Sequence, residues 1–358
     1  MAHFLGLGLT HYPLLAGTDE HMADLLKWTM SDPDIPASAK DSTNWPTSMR
    51  CEWANDGGLA AASTHRKRLR ENLARCRQAL DDFAPDVVVV WGDDQYENFR
   101  EEVVPPFCIL AYGDVEVPPF ELMAERGSPN PWGLPDDTTI TLHGQADTAR
   151  WLADRLIGAH FDMAYSYRKR EHAHFPHAIV NTQLFLDYDD AGARFPYPMV
   201  PITVNCYGQH AIARRGGLAR FADIAAERLD PVGPTPARCF ALGRAVARAF
   251  ADTDQRVALI ASSSWSHAFL TDKTWHITPD TAADQRLYDL FTAGDFDRWQ
   301  ATPTHDIVDS GQHEMLNWFC LTGATEELGL RLDWSDLVTT DVFNSNKCFA
   351  VFEEGARP

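Results

Sequence analysis

Pro85-Asp86-Val87-Val88-Val89-Val90-Trp91-Gly92-Asp93-Asp94-Gln95-Tyr96-Glu97-Asn98-Phe99 decides the fold class of this chain. Four consecutive valines behind Pro-Asp read as a strand buried on both faces, because β-branched side chains suit the pleat and no polar alternation interrupts them. Gly92 is expected to break that strand. Carboxylates and amides follow at once, and in open α/β sheets ligands bind just beyond the carboxyl ends of the strands. The packet Asp93, Asp94, Gln95 and Glu97 is therefore a candidate site, set against the plainer reading of a solvated acidic turn.

Working outward, a first strand is expected over 3–9, ending at Thr10-His11-Tyr12-Pro13. A long irregular stretch follows at about 28–58, with Trp28, Trp45, Trp53 and several prolines, and reads as an ordered flap that can cover a site. A helix is expected from Leu59 to Phe83, with Leu69, Leu73, Cys76 and Leu80 as its apolar stripe. Further strands are expected at 107–111, 161–167, 199–205 and 256–263. Helices are expected at 144–159, 234–251, 280–293 and about 311–328. The alternation indicates an α/β layered domain with a central, mostly parallel or mixed β-sheet flanked by helices. With no repeat and no clear linker, residues 1–358 read as one domain.

Composition narrows the function. The chain has 358 residues and a formal net charge of −20, which repels phosphate backbones and anionic lipid. Nucleic acid and membrane are thus excluded as expected partners, while a homo-oligomer stays open. Seven cysteines make no Cys-x-x-Cys pair and favour reduced thiols in the cytoplasm over a disulfide framework. The apolar start is short, lacks a basic segment, and reads as a strand, not a signal peptide. No apolar run approaches the ~20 residues of a spanning helix.

Fourteen histidines are present, and their placement carries more than their number. His11 follows the first strand. His172, His174 and His177 follow the strand at 161–167, and His267 follows the strand at 256–263. In a parallel arrangement these exits meet the Asp93–Glu97 turn at one sheet edge, where imidazoles and carboxylates form metal or acid–base sites. His65 reaches the same edge if its helix runs back antiparallel to the strand; otherwise it decorates a basic helix face. No dinucleotide fingerprint, phosphate loop or nucleophile elbow competes with this reading: Gly6-Leu7-Gly8 lacks the third glycine, and Ser262-Ser263-Ser264-Trp265-Ser266 has no flanking glycines.

Five segments, in order, resemble the class III extradiol ring-cleavage dioxygenases, the superfamily of the protocatechuate 4,5-dioxygenase β subunit. Gly8-Leu9-Thr10-His11-Tyr12-Pro13 is similar to an early Ser-His-x-Pro. Pro85 to Gln95 is similar to Pro-Asp, an apolar strand, then Asn-Asp-His. Glu171-His172-Ala173 is similar to Asp-His-Gly, and Ser264-Trp265-Ser266-His267 to Gly-Leu-Ser-His. Gly311-Gln312-His313-Glu314-Met315-Leu316-Asn317-Trp318, with Gly323-Ala324 behind it, resembles a C-terminal Glu-x-x-x-Trp helix before Gly-Ala. The resemblance implies non-haem Fe(II) held by two histidines and a glutamate, with open positions for a catecholic diol and O₂. It implies His11 as the first iron histidine, His172 as acid–base, and His267 as a substrate contact; His177 joins the catalytic candidates from the same histidine cluster. Two departures stand out: Gln95 falls on the second iron histidine, and Ala282 falls where the glutamate is expected. Either a metal (Fe(II), or another divalent ion such as Mn or Zn) is rebuilt around His11 from His65, Asp94, Gln95 or Glu97, or none is bound.

The resulting expectation is a metal-dependent oxidoreductase that opens a small aromatic or heteroaromatic diol or aminophenol with O₂. A metal-dependent hydrolase or lyase on the same fold, working through a metal-bound water, is the second reading. A non-catalytic binder that has lost its ligands is the third.

Overall fold

The computed structural model describes residues 2–355 apart from 172, 216, 218, 219, 226 and 227. Ten strands are present: β1 (His3–Leu9), β2 (Val87–Asp93), β3 (Phe107–Leu110), β4 (Val115–Val117), β5 (Ile140–Leu142), β6 (Ala164–Ser166), β7 (Met199–Val204), β8 (Arg256–Ser262), β9 (Arg331–Val338) and β10 (Lys347–Glu353). Eight form one sheet in the order β6-β3-β7-β2-β8-β1-β10-β9, and β4 pairs with β5 in a separate ribbon. β7, β2, β8 and β1 run parallel at its heart, while β10 is antiparallel to β1 and β3 to β7. The sheet is α/β and mixed, flanked by helices on both faces.

The four valines behave as their lack of polarity requires. Val87 and Val89 face one core layer and Val88 and Val90 the other, all fully buried. At about 1.5–3 kcal/mol for each fully buried aliphatic side chain, this central strand anchors both layers. The first layer is closed by the helices Ala146–Gly158, Pro236–Ala251 and Leu316–Leu328, the second by Asp19–Met30, Leu59–Phe83 and His177–Leu186.

Gly92 does not end β2. The strand runs on to Asp93, paired with β7 throughout. A β-carbon on Gly92 would stand 3.0 Å from the Ala178 and Ile179 side chains, so the glycine lets the His177–Leu186 helix lie against the strand. The 28–58 stretch is not irregular. It holds two short helices, Ala37–Lys40 and Thr47–Trp53, with the Trp45 indole N–H donating to the Ala39 carbonyl. Glu52 ties it to the far end of the chain by accepting from the Thr340 hydroxyl and the Asp341 and Val342 amides.

Candidate metal centre

β1, β8 and β2 are neighbours and parallel, so their carboxyl ends open on one spot. Just past β1, His11 points its Nδ1 at the Ser262 carbonyl, 2.8 Å away at the end of β8. A carbonyl only accepts, so Nδ1 carries the proton and Nε2 is left with its lone pair. That Nε2 lies 3.6 Å from Asp93 Oδ1 at the end of β2 and 3.5 Å from Glu314 Oε2. Glu314 sits in the 3₁₀ turn His313–Met315 that leads into the Leu316–Leu328 helix. Each of the three is at most 2% exposed. Their ligand atoms all lie within 4.8 Å of one another, the spread a single metal ion requires.

The surroundings hold this arrangement firmly. Ser263 Oγ donates to the Glu314 carbonyl, Thr10 and Ser264 share a hydroxyl contact, and Asn181 Nδ2 donates to the His11 carbonyl. The serine run after β8 is thus scaffolding. Glu314 Oε1 accepts from Gln95 Nε2 and from the Tyr207 hydroxyl, each at 2.9 Å, with His267 Nε2 at 3.3 Å. Its other oxygen, Oε2, and both Asp93 oxygens find no donor among the described residues.

Electrostatics follow burial. Burial brings His11 down to about 4 against the pull of Asp93, and His267 down to about 3 with help from His11 and Lys347. Both imidazoles are neutral near pH 7. Burial and the neighbouring Asp93 push Glu314 well above the usual carboxylate range. Asp93 with both oxygens bare, Glu314 with one bare oxygen, and a neutral imidazole form a site that fits a divalent cation. Ligands held about 2.1 Å from such an ion stand about 3.0–3.4 Å apart, and the two His11 separations, 3.5 and 3.6 Å, come close to that.

The remaining candidates divide. Asp94 turns away from the cluster and accepts from the backbone N–H groups of Glu97, Asn98 and Phe99, closing a turn in which Tyr96 has φ +62°. Burial and the Glu97 charge lift it to about 8. Glu97 accepts from His177 Nδ1 at 2.8 Å and from the His177 amide at 3.0 Å. His177 stands edge-on to His11 with ring centroids 4.9 Å apart. His65 lies elsewhere, 5.0 Å from the Phe343 ring and 6.3 Å from Tyr12, and is not part of the His11 cluster. His174 pairs with Glu121 nearer the surface. His172 lies outside the described residues.

Two ligand-distance carboxylates were missed by sequence reasoning. Asp93 and Asp94 stand side by side in the quoted packet, and the sequence favours neither; the extension of β2 to Asp93 distinguishes the two. Glu314 lies in the Gly311–Trp318 segment, about 30 residues beyond position 282, where the resemblance places the glutamate. That region instead supplies Asp284, whose carboxylate is engaged by the Ser266 amide, Gln312 and Asn346.

A surface pocket is lined in part by His177, whose ring packs against that of His11. Its walls include Pro13, Pro118, Met123 and Phe175, together with Glu97 and His177. The 28–58 segment contributes nothing to it. β6, whose exit was expected to deliver histidine directly, is the edge strand of the sheet, three places from β2. His177 arrives from it only because the chain runs back and enters the His177–Leu186 helix.

Residues 225–351 match the family described as the catalytic LigB subunit of aromatic ring-opening dioxygenase. The chain is 29% identical over 215 residues to a 2,3-dihydroxyphenylpropionate/2,3-dihydroxicinnamic acid 1,2-dioxygenase of Comamonas testosteroni, covering 60% of this chain and 53% of that one. It is 31% identical over 197 residues to the protein of the same name from Rhodococcus rhodochrous, covering 54% and 48%. The chain thus spans about half the length of the curated relatives it matches. A solved structure of an uncharacterized Escherichia coli K12 protein aligns with a TM-score of 0.42 at 14% identity, over 77% of this chain and 91% of its own. The family match takes in β8, His267 and Glu314, and the ordered motifs on β1 and β2 bring His11 and Asp93 to the same place. Over these segments the chain is similar to the class III extradiol dioxygenases.

Proposed function

We propose that this protein is a metal-dependent dioxygenase that opens the ring of a small aromatic or heteroaromatic diol or aminophenol with O₂. The observation that carries the reading is the convergence of His11 Nε2, Asp93 and Glu314 at the carboxyl ends of the central parallel strands. The superfamily and the names of the relatives support the reaction and an aromatic diol as substrate.

His11, Asp93 and Glu314 would hold the metal, Fe(II) first among Fe, Mn and Zn. When bound, Fe(II) supplies a Lewis-acidic centre with open positions at which a diol and O₂ can meet. The protein's own residues do the rest. Gln95 and the Tyr207 hydroxyl fix Glu314 by one oxygen, leaving the other free. Pro118, Met123 and Phe175 give an aromatic ring an apolar approach. His267, neutral and with its Nδ1 unpartnered, contacts the substrate and can take a hydroxyl proton. His172 stays the acid–base candidate that the family motif assigns. Seven unpaired cysteines support a reducing, cytoplasmic setting.

The test is anaerobic reconstitution with Fe(II), followed by metal analysis and O₂ uptake with a panel of 2,3-dihydroxyphenyl acids and aminophenols. The expected result is about one iron per chain, with O₂ consumption matched by the absorbance of a ring-opened product. Asp93→Asn and Glu314→Gln should each lose iron. Bound metal without O₂ uptake would turn the reading toward a hydrolase or lyase, and absence of metal toward a binding protein.

A further inference from the structure

The His11, Asp93 and Glu314 group holds one imidazole, with His267 Nε2 3.3 Å from the Gln95-bound oxygen of Glu314 and outside that group, and the position at the end of β2 that the family motif gives to a second one is Gln95. Its amide is occupied in donating to Glu314 Oε1. An amide oxygen is also a poor substitute for imidazole toward a borderline divalent ion. We propose that the second imidazole of the centre is His177, delivered by the His177–Leu186 helix instead of by β2 and oriented by Glu97. The inference rests on the metal-dependent reading above and deepens it by adding a ligand from a different element.

Three observations carry it. The His177 ring stands edge-on to His11 at 4.9 Å between centroids, so the two imidazoles border the same buried volume. Glu97 clamps His177 twice, taking both its Nδ1 proton at 2.8 Å and its backbone amide at 3.0 Å. This is the outer-shell arrangement that fixes a metal-binding imidazole: a carboxylate holds one ring nitrogen in its protonated tautomer and the other keeps its lone pair. His177 Nε2 is buried with no partner among the described residues, as are both oxygens of Asp93. His177 Nε2 makes no ion pair with Asp93 or Glu314 among the described residues, so as a ligand it would have to move toward the His11, Asp93 and Glu314 group; a buried nitrogen and buried oxygens left without partners are costly unless something such as a cation bridges them. His11 shows the same logic with the Ser262 carbonyl in place of Glu97.

A structural Glu97–His177 ion pair would give the same two hydrogen bonds but would not need a bare Nε2. The helix explains how the replacement is held. Asn181, one turn on, bonds the His11 carbonyl, and Thr182 bonds Ser262 Oγ at 2.7 Å, so the helix is pinned to the strand ends that carry the other ligands. Gly92 permits that approach.

The experiment is Co(II) titration, read by its d–d absorption, on wild type, His177→Ala, Glu97→Gln and, as a reference, His11→Ala. Circular dichroism and thermal melts accompany each variant. His177→Ala should weaken Co(II) binding at least ~100-fold and shift the band, and Glu97→Gln should weaken it ~10–100-fold. Pulsed EPR on the Cu(II)-loaded wild type should count two imidazoles, a readout that survives if His177→Ala does not fold. Wild-type affinity and an unshifted band in His177→Ala, or one imidazole in the wild type, would overturn the inference. The metal-dependent reading would then still stand as long as His11→Ala abolishes binding. A wild-type protein that takes up no metal would overturn both.

Discussion

Adjacent carboxylates can serve opposite ends, and Asp93 and Asp94 show why. Asp93 ends β2 with both oxygens bare beside His11, whereas Asp94 closes the following turn on three backbone N–H groups. Asp94→Ala should therefore cost about 1–2 kcal/mol of stability, the usual loss for a side-chain cap, while leaving metal stoichiometry intact. Asp93→Asn should do the reverse, losing metal while the metal-free protein melts no lower, since a buried carboxylate with no donor among the described residues is removed. Chemical denaturation and metal analysis of the pair separate the two roles. His65 makes a further contrast. It is held far below its ordinary pKa, first by burial and then by the Lys347 charge. A histidine with a depressed folded pKa binds fewer protons than its unfolded form below about pH 6.5, so it costs stability as pH falls through that value. His65→Phe should flatten the acid limb of the stability curve by up to about 1.4 kcal/mol per pH unit below 6.5 and leave metal binding unchanged. A loss of metal in that variant would restore His65 to the ligand set. At this scale the sequence disclosed which residue types gather at the site and hid which of two neighbours faces inward, because the strand's extension past Gly92 depends on a helix that packs there.

Elements were legible in proportion to their periodicity. The Leu59–Phe83 helix and its buried stripe of Leu69, Leu73, Cys76 and Leu80 follow from spacing, and the valine run made β2 plain. The His177–Leu186 helix did not stand out, because all ten of its residues are buried and a helix apolar on every side shows no stripe. It is also the element that carries His177. Glu314 depends on another packing feature that composition does not reveal. The Pro236–Ala251 and Leu316–Leu328 helices cross backbone to backbone at two glycines. A β-carbon on Gly243 would fall 1.8 Å from the Cys320 carbonyl oxygen, and one on Gly323 2.0 Å from that of Phe240. Gly243→Ala must push the helices apart, which should cost about 1–3 kcal/mol or more. Because the displaced helix begins directly after Met315, metal affinity should fall too, although no ligand is touched. A variant with wild-type midpoint and affinity would show that the helix that follows Glu314 does not position it.

At the scale of the whole molecule, β1 pairs with β8 on one side and β10 on the other, so both ends of the chain close around the strands that hold the site. The layered α/β class was readable from alternation alone. The mixed order was not, because β9 and β10 are added antiparallel after the last helix, and nothing local in Arg331–Val338 or Lys347–Glu353 fixes their partner. The charge of −20 belongs to this scale as well. Spread over one compact surface, it opposes folding through self-repulsion, and salt relieves that opposition. Raising NaCl from about 10 to about 200 mM shortens the screening length from about 30 Å to less than 10 Å, so the melting temperature should rise. The rise should be larger at pH 8 than at pH 6, because the sequence pI is 5.0 and the net charge shrinks as pH approaches it. Fluoride or sulfate in place of chloride would also tighten apolar burial, so the comparison between the two pH values, not the absolute rise, isolates the charge term. A salt effect that is absent, or greater at pH 6, would mean that local pairs such as Arg77 with Asp81 and Asp187 already neutralise the surface.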